Sequence, residues 1–331
     1  MKKPANFMLN KIWIFPVIIG LTLLAVLFME DMMTPKDAVA SREPAGSAVF
    51  APPPYIEEVR AEVTVIPDLI YEEESDALLD LYIPATLDEP VPVILWIHGG
   101  GYVGGSKDSR RDYAMTLAHE GYLVANMDYG LAPEQLYPGP IFQANAALAY
   151  LQKHAAEFGG DMDRIFIGGD SAGAQIASQL SAVISNEGLA SSMGLTPSVD
   201  SEKLRGALLF CGLYNMATVS DTGFPNIDYF LNTYTGTTAF ENFRDLEELS
   251  TVKHITADFP DTFISVGDGD PLASQSIELA SIIRSHGITV ETMFFEGSEK
   301  NLQHEFQYAL DTLDAQETLS ETLDFLSVKS R

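Results

Sequence analysis

The stretch RIFIGGDSAGAQIA, residues 164–177, constrains the fold more tightly than any other part of the chain. It reads as a buried strand ending at Gly168, a tight turn, and a helix of small residues from about Ala172. The turn itself is Gly169-Asp170-Ser171-Ala172-Gly173, a G-x-S-x-G pattern. A strand that turns into a helix over so few residues leaves no room for a side chain at either glycine. The serine is forced to the apex with its hydroxyl exposed. Beneath it lies a helix N-terminus with free N–H groups and a positive dipole end. Such a hydroxyl is placed to act as a nucleophile.

A serine hydroxyl needs a base. Of six histidines, His98 belongs to a glycine loop, His119 and His154 fall on helices, and His254 lies in an irregular region. His286 directly precedes Gly287, the position of a helix cap. His304, in EKNLQHEFQ, follows the last strand and is the last histidine of the chain. Where a nucleophile sits on this kind of elbow, the order is serine, acid, histidine, which selects His304. The acid then belongs after an intervening strand, where FISVGDGDPLASQ offers Asp268 and Asp270. Pro271 holds Asp270 out of the helical region just before a helix begins, so Asp270 is the expected acid. Asp268 reads as a solvent-facing turn residue or a helix cap. The acid's task is to fix the imidazole tautomer and stabilise its cation.

The loop HGGGYVGG, residues 98–105, has two physical readings. Gly99, Gly101 and Gly104 satisfy G-x-G-x-x-G after a strand, and Asp128 ends the next strand, which outlines a dinucleotide site. That site needs its helix to open at the third glycine. Here Gly105, Ser106, Lys107 and Asp108 prolong the loop instead. As an oxyanion loop the stretch explains more: Gly100 and Gly101 can aim bare N–H groups at a carbonyl oxygen, with the Ala172 N–H as a third donor. No clustered histidine and cysteine set suggests a metal, and no cofactor is required.

Around these motifs, short apolar runs alternate with helical patterns. AEVTVI and LLDLYI read as an antiparallel opening pair, and VPVILWI as a strand covered on both faces. Further strands fall at YLVANMDY, RIFIGG, GALLFCG, DTFISVG and TVETMFF. Helices are expected at residues 109–120, 143–158, 172–186, 274–286 and 313–328. The fold class is α/β, a mostly parallel sheet with helices on both faces. Residues 221–256 break the rhythm with six aromatic side chains, Phe224, Tyr229, Phe230, Tyr234, Phe240 and Phe243, and read as a lid or a packed excursion.

The N-terminus stands apart. Residues 12–29 carry no charge, Lys2, Lys3 and Lys11 precede them, and Glu30 and Asp31 follow. This reads as a signal anchor with the main domain outside the cytoplasm, or as a signal peptide cleaved after Ala40. The run is longer than a usual signal-peptide core, which favours the anchor. Residues 31–54, ending in APPP, read as a linker, and the catalytic domain as residues 55–331. A net charge of −28 argues against nucleic acid and anionic membrane surfaces as partners. The single cysteine, Cys211, permits no internal disulfide and sits in an apolar strand, where it reads as an inert buried thiol.

HGGGY, DYGLAPEQLYPGP, GDSAG, GDPLA and the His304 loop, in that order, resemble the hormone-sensitive-lipase-like branch of α/β-hydrolase esterases. LLDLYIP is more similar to bacterial carboxylesterases of the feruloyl-esterase type. The resemblance implies an α/β-hydrolase fold and serine-dependent hydrolysis of small to medium carboxylic esters through an acyl-enzyme. It implies an oxyanion hole from Gly100, Gly101 and Ala172, a loop-orienting role for His98, and structural roles for Asp128, Tyr129 and Glu134. Two residues depart from the family pattern: Gly130 replaces an arginine, and Glu305 stands where a glycine follows the base. A non-catalytic binding module on the same fold and a serine peptidase are the alternative readings. The sequence leaves oligomeric state open.

Overall fold

Two strands with alternating apolar residues open the sheet. In the computed structural model, which describes residues 50–75 and 77–331, Val63–Glu72 (β1) pairs antiparallel with Ala77–Pro84 (β2). Val91–Ile97 (β3), Leu123–Met127 (β4), Gly160–Asp170 (β5), Leu204–Phe210 (β6), Thr262–Val266 (β7) and Val290–Phe294 (β8) complete an eight-stranded sheet. Its order is β1-β2-β4-β3-β5-β6-β7-β8, with β2 antiparallel to β4 and every later pair parallel. The expected anchor and residues 31–49 of the expected linker lie outside the described residues. Residues 50–54 pack on the domain, with the Phe50 ring 5.7 Å from that of Tyr308, so folded contacts begin inside the expected linker. Among the described residues no helix is long and apolar enough to cross a membrane.

The central strands are apolar on both faces because both faces are covered. In β3, Val93, Leu95 and Ile97 join one core and Ile94 and Trp96 the other. Helices Ile56–Glu62 (α1) and Arg111–His119 (α2) cover the second face, and Gly139–His154 (α3) and Ala172–Ser185 (α4) the first. Glu187–Met193 (α5) follows on the first face. Between β6 and β7 the chain makes two short helices, Ile227–Thr235 (α6) and Leu246–Leu249 (α7). Ala273–Ser285 (α8) and Leu313–Lys329 (α9) close the first and second faces respectively.

The ends of two helices differ from the sequence reading for physical reasons. Helix α3 starts four residues early, at Gly139, because Pro140 in its first turn suits the helical φ and gives up no needed donor. It ends as a 3₁₀ turn, Ala155–Phe158, stopped by Gly159 at φ +81°. Helix α2 is preceded by a 3₁₀ turn, Lys107–Arg110, so the glycine loop is shorter than expected. The excursion over residues 221–256 is firmly packed: Ile227, Leu231, Tyr234, Phe240 and Leu249 are buried in the first core.

Candidate active site

In sheets of this kind, sites form at the carboxyl ends of the strands. Here β3, β5, β7 and β8 each end in a loop carrying one expected component. Ser171, directly after β5, has φ +52° and ψ −119°, a strained conformation for a residue with a Cβ. The His304 ring lies between Ser171 and Asp270, with Nε2 3.0 Å from Ser171 Oγ and Nδ1 2.8 Å from Asp270 Oδ2. The second oxygen of Asp270 accepts the Leu272 N–H at 2.8 Å, which fixes the carboxylate at the start of α8. Asp270 and Ser171 are buried and His304 is partly exposed.

The elbow glycines are required by the neighbouring loop. A Cβ on Gly173 would strike the backbone oxygens of Ile97 and His98, and one on Gly169 would lie 2.5 Å from the Ile97 oxygen. The nucleophile turn thus lies directly against the start of the glycine loop. Gly100 and Gly101 take φ +124° and +60°, and a Cβ on Gly101 would meet the Phe230 ring at 2.8 Å. Among the described residues, the N–H groups of Gly100, Gly101 and Ala172 donate to no backbone acceptor. His98 is fully buried and engaged elsewhere. Its Nδ1 is 2.6 Å from the Gly99 oxygen, and its ring stacks on Tyr129 at 4.4 Å. Burial lowers its pKa, keeping the ring neutral. Tyr129 donates to the His98 oxygen at 3.1 Å, and Asp128 accepts the Lys107 N–H at 2.6 Å, so both brace the glycine loop.

Asp268 is a correction. It does not simply face solvent: its carboxylate accepts the N–H groups of Leu302 at 2.7 Å and Asn301 at 3.1 Å, and the Ser298 hydroxyl at 3.0 Å. The Gly269 N–H in turn donates to the Leu302 oxygen at 2.9 Å. Asp268 therefore ties the loop of the acid to the loop of the base. Cys211 is fully buried, and burial pushes its thiol up to about 11. Its sulfur, Asp270 and His304 bring ligand-type atoms within 4.8 Å of one another, the one such group among the described residues. The thiol stays protonated near neutrality and the other two groups are bonded to each other, which suits a proton relay better than a metal.

Burial disfavours the His304 imidazolium, while Cys211 and Asp270 favour it, and the balance raises its pKa above the ordinary value. Because the thiol is neutral where an imidazole titrates, the Asp270 carboxylate carries that effect. Two aromatic rings of the excursion wall the site. Phe224 meets the His304 ring edge-on at 4.8 Å, and Phe230 lies against Gly101.

Sequence reasoning missed a buried charge cluster behind the site. Arg110 donates from Nε and Nη2 to Asp170 at 3.0 and 2.6 Å, and its Nη2 lies 2.8 Å from Glu305. Tyr308 donates to Asp170 at 2.7 Å, and the Gly99 N–H does so at 3.1 Å. Glu305 takes φ +63°, the conformation a glycine at its position would adopt freely. The one signal in the sequence was the glutamate standing in a glycine's place.

This geometry, on this sheet, defines a class: serine hydrolases of the α/β-hydrolase fold. The chain belongs to the BD-FAE family, whose model matches residues 79–283. It is 30% identical over 258 residues to carboxylesterase NlhH of Mycobacterium tuberculosis, covering 72% of this chain and 74% of that protein. It is 30% identical over 231 residues to esterase LipI of the same species, covering 64% and 66%. Among solved structures, a bacterial heroin esterase matches with a TM-score of 0.67 and 27% identity, over 81% of this chain and 84% of that one. Esterase B from Lactobacillus Rhamnosis matches with a TM-score of 0.72 over 83% and 90%; at 23% identity that likeness speaks to the fold alone.

Proposed function

We propose that this chain, a carboxylesterase-type serine hydrolase by its family, cleaves esters of small to medium size through an acyl-enzyme on Ser171. The observation that carries the reading is the hydrogen-bonded line from Ser171 through His304 to Asp270. Ser171 Oγ attacks the ester carbonyl carbon while His304 Nε2 takes its proton. Asp270 keeps the Nδ1–H tautomer and stabilises the imidazolium. The N–H groups of Gly100, Gly101 and Ala172 hold the oxygen as it becomes charged, and loss of one such donor costs about 10²–10³ in rate. The bond to the alcohol oxygen then breaks and His304 returns its proton to that oxygen. Water repeats the sequence on the acyl-enzyme, releasing the acid and restoring the Ser171 hydroxyl.

The rings of Phe224 and Phe230 support the size limit, because they stand beside the base and the oxyanion loop. The uncharged run of residues 12–29, with lysines on its short side, supports placing the domain outside the cytoplasmic membrane, anchored there or released by cleavage. A panel of p-nitrophenyl esters from two to twelve acyl carbons tests the activity on wild type and Ser171→Ala together. Turnover is expected to favour the shorter chains and to vanish in the variant. Wild type inert towards every ester, or matched by Ser171→Ala, would overturn the reading.

A further inference from the structure

Behind the three reacting side chains, one buried cation holds the residues next to two of them. Asp170 immediately precedes Ser171, and Glu305 immediately follows His304. Both carboxylates meet the Arg110 guanidinium, whose side chain is 1% exposed, against 0% for Asp170 and 7% for Glu305. Asp170 also accepts the N–H of Gly99, the residue before Gly100. The oxyanion loop, the nucleophile turn and the base loop are therefore all linked within one bond of Arg110 or Asp170. The guanidinium lies 4.2 Å over the Tyr308 ring, and Tyr308 itself bonds Asp170, so the fork can neither swing nor hydrate.

Stability alone does not explain this arrangement. Buried ion clusters lose in desolvation much of what they gain in attraction. Asp170 already gives Arg110 a two-point carboxylate partner, which satisfies the charge. The second carboxylate is held on a residue at φ +63°, a conformation that disfavours any side chain. Burial opposes both carboxylates. Arg110 outweighs it at Asp170, which stays below the usual range, while Glu305 is left above. Glu305 is thus a strained and costly addition to a pair already complete, and what it adds is a tether one residue from the His304 backbone.

We propose that Glu305, clasped by Arg110, is a positioning residue that sets the orientation of the His304 ring between Ser171 and Asp270. Through Asp170 the same guanidinium sets the register of the nucleophile turn against the oxyanion loop. The inference rests on the hydrolytic reading above, but it can be judged without turnover. The hydrogen-bonded Nδ1–H of His304 is expected to give a far-downfield proton resonance in the free protein, which would report its contact with Asp270.

The test compares Glu305→Gly, Glu305→Gln and Arg110→Lys with wild type, using p-nitrophenyl butyrate, thermal melting and that resonance. Glu305→Gly relieves the left-handed strain, so its melting temperature is expected to stay level or rise. Its kcat is expected to fall about tenfold to a hundredfold with KM within about twofold, as small misplacements of a reacting group do. Its downfield resonance is expected to broaden or shift. Glu305→Gln keeps an acceptor for Arg110 and should recover most of the loss. Arg110→Lys removes the fork and should behave like Glu305→Gly or worse. A Glu305→Gly protein with wild-type kcat and resonance would overturn the clasp. So would a loss of kcat matched by a loss of melting temperature, the mark of a structural role only. Wild type that shows the resonance but cleaves no ester would sink the esterase reading, while the resonance comparison would still decide the clasp.

Discussion

His304 is held between a hydroxyl that must lose a proton and a carboxylate that favours keeping one. Asp270 at 2.8 Å stabilises the protonated ring, and the pKa lies above the usual value of about 6.5. The base works only when neutral, so kcat/KM should climb with pH through the folded-state pKa of His304. The rising limb of a pH–rate profile is therefore expected above pH about 6.5, and a limb at or below that value would contradict the assignment. The linkage to stability has the opposite sense. With the folded pKa raised, the stabilisation is fully present below the unfolded pKa and is lost as pH rises through the folded one. Activity should thus increase across the same window in which this contribution to stability fades. Ser171 keeps its positive φ between two positions that only glycine can fill, since the Ile97 oxygen lies against both Gly169 and Gly173. The sequence pattern made this residue legible, since the serine stands in a G-x-S-x-G turn between a buried strand and a helix of small residues.

At the scale of elements, the loops after β7 and β8 behave as one unit. Asp268 and the Gly269 N–H bind both the amides and the carbonyl of the segment that leads into His304. Asp268→Ala should free that segment. The expected outcome is a kcat about tenfold lower, with Asp270, Ser171 and the substrate walls untouched. Kinetics beside a melting curve would check it, and an unchanged kcat would mean that the loop holds its shape without Asp268. Of the two aspartates in GDGD, Pro271 marked Asp270 as the acid, but nothing in the sequence showed that Asp268 would bind the loop of the base. The strands were far easier to read. A strand covered on both faces must be apolar throughout, as β3 is, and that rule needs no knowledge of partners. Helix ends were less legible where proline or a 3₁₀ turn moved them, as at Gly139 and Lys107.

Across the whole molecule, the sheet order brings side chains from positions 171, 270 and 304 to one edge because β5, β7 and β8 run parallel and end on the same side. That much follows from motif order and strand count. Contacts without a period do not follow from sequence: Arg110 meets Asp170 across 60 positions, and neither residue belongs to a pattern that names the other. The excursion between β6 and β7 announced its aromatic content but not its packing, with Phe224 against the base and Phe230 against the oxyanion loop. The account as a whole depends on Ser171 being the one activated nucleophile. Intact mass spectrometry and peptide mapping after exposure to diethyl p-nitrophenyl phosphate measure this directly. One diethylphosphoryl group per chain is expected on the peptide bearing Ser171, lost in Ser171→Ala and formed at least about a hundredfold more slowly in His304→Ala. An unlabelled wild type, a label on another residue, or equal labelling of the serine variant would contradict it.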